Sequence, residues 1–358
     1  MKVRVAVCGL GGVADRIHLP ACRAVPEIEV VGGCDPDAAA RDRMAAKFGL
    51  PGAFSDFAAM LKETRPDAVI IGTPPNTHFE LCAQAMESGA HVFCEKPFMP
   101  TVEEADRIIA LADQKRRLLR INNQYRFMTI YREAYQRLAR GDFGRAHYLQ
   151  MWQQMYHPPS FETNWRNQLR RYVIYEFGTH ALDLASFFFD SLPVSVQAHT
   201  PKVAPDIDAD ILVHLTLRFP DDRLAVFSFN RMTHAPEKYL EARLDCEQAS
   251  LRLSLGGVAR FSVERLRHGG FSWKTGLVRG GQARAERKGR SQVFSSARNS
   301  EFASATAAHL RHFVEQLNEP HPPLDGARHA REILRLVFAA YESAESGETV
   351  WLNRAVGK

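Results

Sequence analysis

The sequence predicts an α/β protein in two parts. The first part is an N-terminal doubly wound parallel sheet, and the second is a C-terminal α+β region built on a large, mostly antiparallel, open-faced sheet. Up to about residue 121, short apolar runs alternate with helical patterns. Beyond about residue 145, strands alternate apolar and polar residues, as in a sheet covered on one face. Since 358 residues are too many for one ordinary core, we expect domains at 1–121 and 122–358.

Five apolar runs predict the strands of the first domain: Val3–Leu10, Glu29–Asp35, Asp67–Thr73, His91–Lys96 and Leu118–Asn122. Helical patterns lie between them. Thr101 and Glu104 are spaced as a capping box, and apolar residues behind them fall on one helical face. Strand–helix–strand repetition predicts parallel pairing with right-handed crossovers.

The second domain shows three further patterns. The stretches 208–219 and 223–232 predict antiparallel strands joined by a turn at Pro220–Arg223, and 241–255 predicts another pair. Two apolar stripes, beginning at Leu310 and Ala330, predict closing helices, with Gly347 ending the second. The Gly/Ser-rich basic stretch 279–298 favours a solvated, mobile loop over a phosphate or nucleic-acid patch, because no aromatic residues alternate with its arginines.

Composition narrows the function classes. A net charge of +5 is too small to indicate nucleic-acid binding, although it favours an acidic small ligand slightly. Six cysteines without a CxxC pair, five of them in the first 94 residues, indicate reduced buried thiols in a cytoplasmic protein, with neither disulfides nor a metal site. No apolar run approaches the length of a membrane span.

The segment CGLGGVA follows the first predicted strand and fits G-x-G-x-x-A at Gly9, Gly11 and Ala14. The first glycine permits a tight turn, the second allows close approach of a pyrophosphate, and the small third residue lets the helix pack on the strand. The following helix N-terminus supplies amide groups for phosphates. With a strand before and a helix after, the motif predicts dinucleotide binding.

Asp35, at the end of the next predicted strand, is the expected ribose ligand. A carboxylate there accepts the ribose hydroxyls of NAD and repels the extra phosphate of NADP, so NAD is expected and NADP is the less favoured alternative. Arg41 is interpreted as too far along the chain to be an obvious phosphate clamp. A helix-capping role for the aspartate is compatible with this assignment.

The chain resembles the glucose–fructose oxidoreductase / inositol dehydrogenase / MocA family in three blocks: the glycine fingerprint with HLPA at His18–Ala21, TPPNTH at Thr73–His78, and GAHVFCEKP. The resemblance covers the whole first domain and extends to the C-terminal helix, while the second domain matches in pattern more than in residues. It implies that Lys96, in EKP, is catalytic and that its bond to Pro97 is often cis. A surface lysine before a turn is the alternative.

The cofactor contacts expected from the motifs and the resemblance are Gly9, Gly11, Gly12, Val13, Ala14, Asp35, Thr73, Pro74, Pro75, Asn76, His78, Glu95, Lys96, Pro97 and Asn123. For His78 a helix-capping role is equally compatible with the sequence.

In the second domain the resemblance places Glu176, His180 and Asp183 on a helix that carries the chemistry. Residues four apart share a helical face, so Glu176 and His180 are expected to face one cleft. His180 is the expected proton carrier, because its ordinary pKa permits both protonation states. The alternative is a core histidine bonded to a neighbour. The residues expected to be catalytic are Lys96, His180 and Glu176.

Two departures from the family pattern concern the substrate. Glutamate stands at 176 where the family usually has aspartate, and Arg170 and Arg171 precede the helix where many members have glycines. Two guanidiniums can grip a carboxylate or phosphate, or they can point to solvent or to a subunit interface. The expected substrate contacts are Lys96, Arg126, Trp165, Arg166, Arg171, Tyr172, Glu176 and His180.

The sequence therefore predicts an NAD-dependent oxidoreductase that moves a hydride between nicotinamide and a secondary alcohol or ketone of a sugar, cyclitol or related acidic metabolite. Two alternatives remain: an enzyme with tightly bound NAD and no net redox change, and a regulatory protein that senses dinucleotide. The resemblance also implies a homodimer or homotetramer formed through an apolar open face of the second-domain sheet.

Overall fold

The computed structural model describes residues 2–162, 164–256, 258–265, 271–278, 280–297 and 299–352. The chain forms two compact units. The first comprises Met1–Phe127 and Phe302–Val337, and the second comprises Met128–Glu301 and Phe338–Lys358. The sequence had assigned the whole of 122–358 to the second domain, whereas Phe302–Val337 groups with the first unit. The boundaries of independently folding domains stay a prediction.

The first unit is built on a six-stranded parallel sheet in the order β3-β2-β1-β4-β5-β6. Its strands are β1 (Val3–Cys8), β2 (Ile28–Cys34), β3 (Ala53–Phe54), β4 (Ala68–Ile71), β5 (His91–Cys94) and β6 (Leu119–Ile121). The order reverses at β1, which confirms the doubly wound fold. The sequence did not identify β3, because two residues are too few to show an apolar pattern.

The helices of the first unit begin with a π-helical turn, Ala14–His18. They continue as α1 (Leu19–Arg23), α2 (Ala38–Phe48), α3 (Phe57–Thr64), α4 (His78–Glu87) and α5 (Val102–Lys115). The predicted cap of α5 is present, since Thr101 Oγ1 accepts the Glu104 N–H at 3.1 Å. The helix α8 (Phe302–Glu315) packs Leu310 and Phe313 into the core of this unit, beside Ile70 and Phe93.

The second unit contains a nine-stranded mixed sheet in the order β16-β15-β12-β11-β7-β10-β9-β8-β17. Its strands are β7 (Ala146–Gln154), β8 (Ser195–His199), β9 (Leu212–Arg218), β10 (Leu224–Asn230), β11 (Lys238–Cys246), β12 (Ser250–Leu255), β15 (Gly281–Arg287), β16 (Arg290–Ala297) and β17 (Val350–Trp351). Only β7 and β10 pair in parallel. The strands β13 (Val258–Arg265) and β14 (Phe271–Val278) form a separate hairpin.

The strand β10 shows how the sheet divides its two faces. Ala225, Phe227 and Phe229 are fully buried on one face, whereas the residues between them are only partly covered. The open face carries Gln150, Trp152, Ser228 and His214 together with charged residues, and Arg243 and Asp245 form an ion pair of 2.9 Å on it. Apolar residues such as Leu212 and Val226 lie on the same face, which is therefore mixed and only in part the apolar face that was expected.

The predicted loop 279–298 is instead the hairpin β15–β16, which adds two antiparallel strands to the sheet edge. Its turn places Lys288 at φ +46° and Gly289 at φ +76°. The Gly, Ser and Arg content masked a strand pattern in which small and charged residues alternate. Arg279 and Arg298, which belonged to the predicted basic loop, lie outside the described residues.

The remaining helices are α6 (Thr129–Ala139), α7 (Thr179–Phe189) and α9 (Asp325–Ser346). Gly347 follows α9 at φ +76°, and its N–H donates to the Ser343 carbonyl at 2.9 Å, which confirms the predicted stop. All six cysteines are free and buried. Across the described ranges, no helix combines the length and the apolar character that a membrane crossing requires.

Candidate functional site

The glycine turn after β1 is shaped by two close backbone approaches. Gly9 has φ +89°, and its N–H donates to the Cys34 carbonyl at 2.8 Å. A Cβ at Gly9 would lie 2.8 Å from the carbonyl group of Gly72, which follows β4. Both the left-handed backbone and this contact require glycine. The turn is therefore held between the ends of β2 and β4, at the carboxyl edge of the sheet.

Gly11 is a glycine for a different reason. A Cβ at Gly11 would meet no protein atom within 4 Å, and the residue is exposed. Protein packing therefore does not explain the missing side chain, whereas an incoming pyrophosphate does, because it needs to approach this backbone closely. Ala14 is fully buried, as the packing role of the third motif position requires. The residues of the turn fit a dinucleotide.

Asp35 extends directly from β2 and is tied to the turn. Its Oδ2 accepts the Leu10 N–H at 2.8 Å, and its Oδ1 accepts the Asp37 N–H at 2.9 Å. Each carboxylate oxygen keeps a further lone pair for a ribose hydroxyl. The Arg41 guanidinium donates to the carbonyls of Asp35 and Pro36 at 2.8 and 2.9 Å. The first turn of α2 thus brings Arg41 beside Asp35 although it is six residues further along the chain, and its part in binding a phosphate stays a prediction.

His78 is a clamp between two loops. It is fully buried, with Nε2 2.9 Å from the Thr73 carbonyl and Nδ1 3.0 Å from the Phe98 carbonyl. Burial lowers the pKa of His78 even though the backbone hydrogen bonds oppose this effect. Both ring nitrogens face protein carbonyls, so the cofactor contact predicted for His78 has no ring nitrogen left to make it.

Glu95 is the centre of a buried polar network at the end of β5. Its Oε1 lies 3.1 Å from His18 Nε2 and accepts the Asn122 amide at 2.7 Å, and its Oε2 accepts the Lys96 N–H at 3.1 Å. Burial would raise the pKa of Glu95, but His18, Asn122 and the charge of Lys96 together lower it to about 2. Asn122 extends the network to Thr306 in α8. Glu95 therefore supports the loop from within, which differs from the cofactor contact predicted for it.

Lys96 follows this buried anion and is partly exposed, and the Lys96–Pro97 peptide bond is cis. Pro74 is partly exposed and Asn76 is exposed, on the loop after β4. The remaining predicted cofactor contacts differ in exposure: Gly12 is exposed, Val13 and Thr73 are partly exposed, and Pro75, Pro97 and Asn123 are buried. The predicted cofactor residues thus cluster along one edge of one sheet, where some are exposed and others are buried beneath the exposed ones.

In the second unit, the segment predicted to carry the chemistry begins differently from the prediction. Val173–Gly178 is π-helical, and the α-helix α7 starts only at Thr179. Asp210 accepts the backbone N–H groups of Tyr172, Val173 and Ile174. The Tyr341 hydroxyl accepts a hydrogen bond from the Tyr175 N–H and donates one to Asp210 at 3.0 Å. This buried cap holds the wider turn, and such turns occur frequently at functional sites.

Glu176 lies in the π-helical turn and pairs with Arg166, whose Nε is 3.1 Å from its Oε1. His180 and Asp183 lie in α7 and are 5 % and 1 % exposed. Because the helix type changes between 176 and 180, the regular α-helical spacing on which their common face was predicted does not hold, which corrects that argument. Among the described residues, no group of three or more His, Cys, Asp or Glu side chains is arranged to hold a metal ion.

The other predicted substrate residues lie in different settings. Arg126 contacts His329 within the first unit. In the second unit, Trp165 stacks under the Arg166 guanidinium at 4.7 Å, and Arg171 is half exposed and pairs with Glu345. Arg170 is likewise exposed and pairs with Asp208 at 3.2 Å. The two arginines expected to grip an anion are therefore already occupied by acids at the surface.

Tyr172 is buried, and its hydroxyl joins two ionic groups. Arg231 donates to this hydroxyl at 2.7 Å, and the hydroxyl donates to Glu162 at 2.9 Å. Burial raises the pKa of Tyr172, and the carboxylates of Glu162 and Glu176 raise it further, while Arg231 opposes them. The sequence analysis had missed Arg231, His18, Asn122, Asp210 and Tyr341. The one local signal for Arg231 was a charged residue that continues the inward-facing positions of β10 just after the strand ends.

Two family models match the chain. Residues 3–123 match the oxidoreductase family with an NAD-binding Rossmann fold, and residues 131–252 match the GFO/IDH/MocA C-terminal domain. The D-apiose dehydrogenase of Paraburkholderia graminis is 23 % identical over 96 % of this chain and 88 % of its own. The D-glucoside 3-dehydrogenase of Escherichia coli is 31 % identical over 40 % of each chain. For two other curated relatives that it matches, the chain spans about 60 % of their length.

Solved structures share the fold across the chain. The aldose-aldose oxidoreductase of Caulobacter crescentus, solved with glycerol, has a TM-score of 0.81 at 20 % identity and covers 98 % of this chain and 100 % of its own. An Agrobacterium radiobacter oxidoreductase, solved with NAD+, L-tartaric acid and magnesium, has a TM-score of 0.80 at 19 % identity, and 98 % of each chain is covered. With both family models matched in order, the chain belongs to the GFO/IDH/MocA oxidoreductase family.

Proposed function

We propose that this protein is an NAD-dependent dehydrogenase or reductase acting on a CH–OH group of a sugar, cyclitol or related polyhydroxylated metabolite. The observation that carries the proposal is the turn at Gly9–Ala14, in which Gly11 leaves an unfilled approach to the backbone beside a tethered Asp35. The names of two relatives, D-glucoside 3-dehydrogenase and D-apiose dehydrogenase, support a sugar-like substrate.

The cofactor would be held by the first unit. The backbone of Gly11 and Gly12 would receive the pyrophosphate, Asp35 the ribose, and the loop after β4 the remaining face. Bound NAD supplies a hydride acceptor at its nicotinamide, and the protein supplies position and electrostatics. NAD is preferred to NADP, because the Asp35 carboxylate repels a 2′-phosphate. Arg41 lies beside Asp35, where its guanidinium would favour a 2′-phosphate once the carboxylate is removed.

Lys96 would stabilise the negative charge that develops on the substrate oxygen, and His180 would carry the hydroxyl proton. A partly exposed lysine just after a buried carboxylate can hydrogen-bond the substrate oxygen and stabilise the negative charge that develops on it. The imidazole of His180 would take the hydroxyl proton in oxidation and return it in reduction. Glu176, fixed by Arg166, would orient the substrate or the imidazole.

We further propose that the chain forms a homodimer or homotetramer through the open face of the nine-stranded sheet, and that it works in a reducing, cytoplasmic compartment. Trp152 on the open face and the six free cysteines support these two points respectively. Light scattering of the purified protein tests the first point, since a monomer at micromolar concentration would contradict it.

The central experiment screens polyols, sugars, sugar acids and cyclitols for NAD reduction, measured by NADH absorbance. For the substrate found, Lys96→Met and His180→Ala should each lower kcat by about 10²-fold or more while NAD binding, measured by calorimetry, is kept. Lys62→Met, on the exposed side of α3, is the matched control and should retain activity. Full activity in Lys96→Met would contradict the proposal, as would a wild-type protein that binds no dinucleotide.

A further inference from the structure

Arg231 occupies an unusual place in the second unit. It follows directly after β10 and continues the inward face formed by Ala225, Phe227 and Phe229. Like those residues it is buried, with 6 % of its surface exposed. Strand alternation thus places a guanidinium where the pattern calls for an apolar side chain, at the end of the buried face of the sheet. A buried cation at such a position needs compensation.

The position of the guanidinium is fixed by neutral groups. Nε donates to Gln153 Oε1 at 3.2 Å, and Nη1 donates to the Tyr172 hydroxyl at 2.7 Å. The guanidinium carbon lies 4.8 Å from the Tyr172 ring centroid and 5.7 Å from that of Phe177. Gln153 stands on the same inward face, at the end of β7. Two hydrogen bonds and two rings therefore hold the fork in one orientation.

No acid neutralises this guanidinium directly. Within the described ranges, no carboxylate lies within 4 Å of Arg231, and its Nη2 makes no hydrogen bond to a described residue. Other arginines of the unit differ, since Arg166 pairs with Glu176 and Arg171 with Glu345. Glu162 accepts a hydrogen bond from the Tyr172 hydroxyl to which Arg231 donates, and it also lies 3.2 Å from His157. The donor left over on Arg231 matches an external oxyanion.

The surroundings place this donor beside the segment proposed to carry the chemistry. Of the two residues whose rings contact the guanidinium, Tyr172 directly precedes the π-helical turn that contains Glu176, and Phe177 lies within that turn beside Glu176. The Glu176 carboxylate acts on the Tyr172 hydroxyl to which Arg231 donates. A ligand reaching Glu176 would therefore lie close to the unused nitrogen of Arg231.

We propose that Arg231 is a specificity-determining residue that binds the carboxylate of the substrate, so that the substrate class is a sugar acid, a polyhydroxylated carboxylate, and not a neutral sugar. This inference rests on the proposed function and adds the charge of the substrate to it. The fork donates through Nη2 to a carboxylate oxygen, while Gln153 and Tyr172 keep its orientation. Arg170 and Arg171, with acids already beside them, do not serve this role.

The test compares each member of a panel of aldonic, uronic and aldaric acids with its own carboxamide, in the presence of NAD. Binding is measured by calorimetry and by the shift in melting temperature, so turnover is not required. We expect the acid to bind the wild-type protein about 10- to 100-fold more tightly than the amide, as for a charge-assisted hydrogen bond. Arg231→Gln should abolish the difference, and Arg140→Gln, at an exposed arginine paired with Asp142, should keep it.

Arg231→Lys guards against a folding defect in Arg231→Gln. It keeps the charge but loses the fork, so its preference for the acid should fall about tenfold. The inference is overturned if acid and amide bind the wild-type protein equally, if no acid in the panel binds, or if the preference survives both substitutions. The inference is also overturned if sugar phosphates, but not carboxylates, cause a shift in melting temperature that depends on Arg231. If NAD alone does not shift the melting temperature of the wild-type protein, the proposed function is refuted instead.

Discussion

Glu95 provides a prediction whose size follows from the structure. Burial would raise the pKa of this carboxyl, but His18, Asn122 and Lys96 lower it from 4.5 to about 2. The interval corresponds to about 3 kcal/mol of folding stability at neutral pH. Because the folded-state pKa is lowered, this stability is complete well above pH 4.5. It is lost as the pH falls towards 2, with about 2 kcal/mol gone by pH 3.

The perturbation is Glu95→Gln, which removes the titrating group and keeps the shape. Urea unfolding of wild type and variant at pH 7, 5 and 3 gives the difference in unfolding free energy at each pH, in which the other carboxyls cancel. We expect the wild type to be more stable at pH 7 and its advantage to shrink by about 2 kcal/mol by pH 3. A constant difference at all three pH values would refute the lowered pKa of Glu95, and a wild-type advantage that grows as the pH falls would show that Glu95 is protonated in the folded protein.

Three further predictions concern the glycine turn, the ribose site and the helix cap. Gly9→Ala should destabilise the fold by about 2 kcal/mol, because φ is +89° and the new Cβ would lie 2.8 Å from the Gly72 carbonyl. In Gly11→Ala the new Cβ would meet no protein atom, so this variant should keep the melting temperature but bind NAD at least tenfold more weakly. Equal melting temperatures of the two variants would contradict this prediction. Asp35→Ser should lower kcat/KM with NAD about 10- to 100-fold and raise the ratio of NADP to NAD use, and an unchanged ratio in steady-state assays would remove Asp35 from the ribose site. Tyr341→Phe removes the hydroxyl that accepts an amide and donates to Asp210, and it should cost about 1–3 kcal/mol in unfolding experiments, whereas a neutral result would show that water replaces the hydroxyl.

The first unit was the more predictable of the two. Every predicted strand there is present, because parallel strands buried on both faces read as continuous apolar runs. The turn motif was also predictable, because a backbone at φ +89° costs glycine less energy than any other residue and so selects glycine at this position. The two-residue β3 and the π-helical turn before α1 were missed, because neither has enough residues to show a period.

The second unit was harder because its determinants are distant in sequence. The hairpin β15–β16 was taken for a loop, since its alternation uses small and charged residues in place of apolar ones. The change of helix type at Glu176 depends on Asp210 and Tyr341, which are far away along the chain. Local periodicity cannot report a cap supplied by another element.

The amino-acid sequence by itself predicted the parallel sheet and the glycine turn, because these depend on local periodicity and on the backbone freedom of glycine, and its motif blocks carried the resemblance to the family. Only the tertiary structure decided which charged groups have partners. It paired Arg171 with Glu345, buried Glu95 against His18 and left Arg231 among neutral acceptors and rings. The strength of a charge depends on burial and on neighbours brought from elsewhere in the chain, and neither is encoded in the residues beside it.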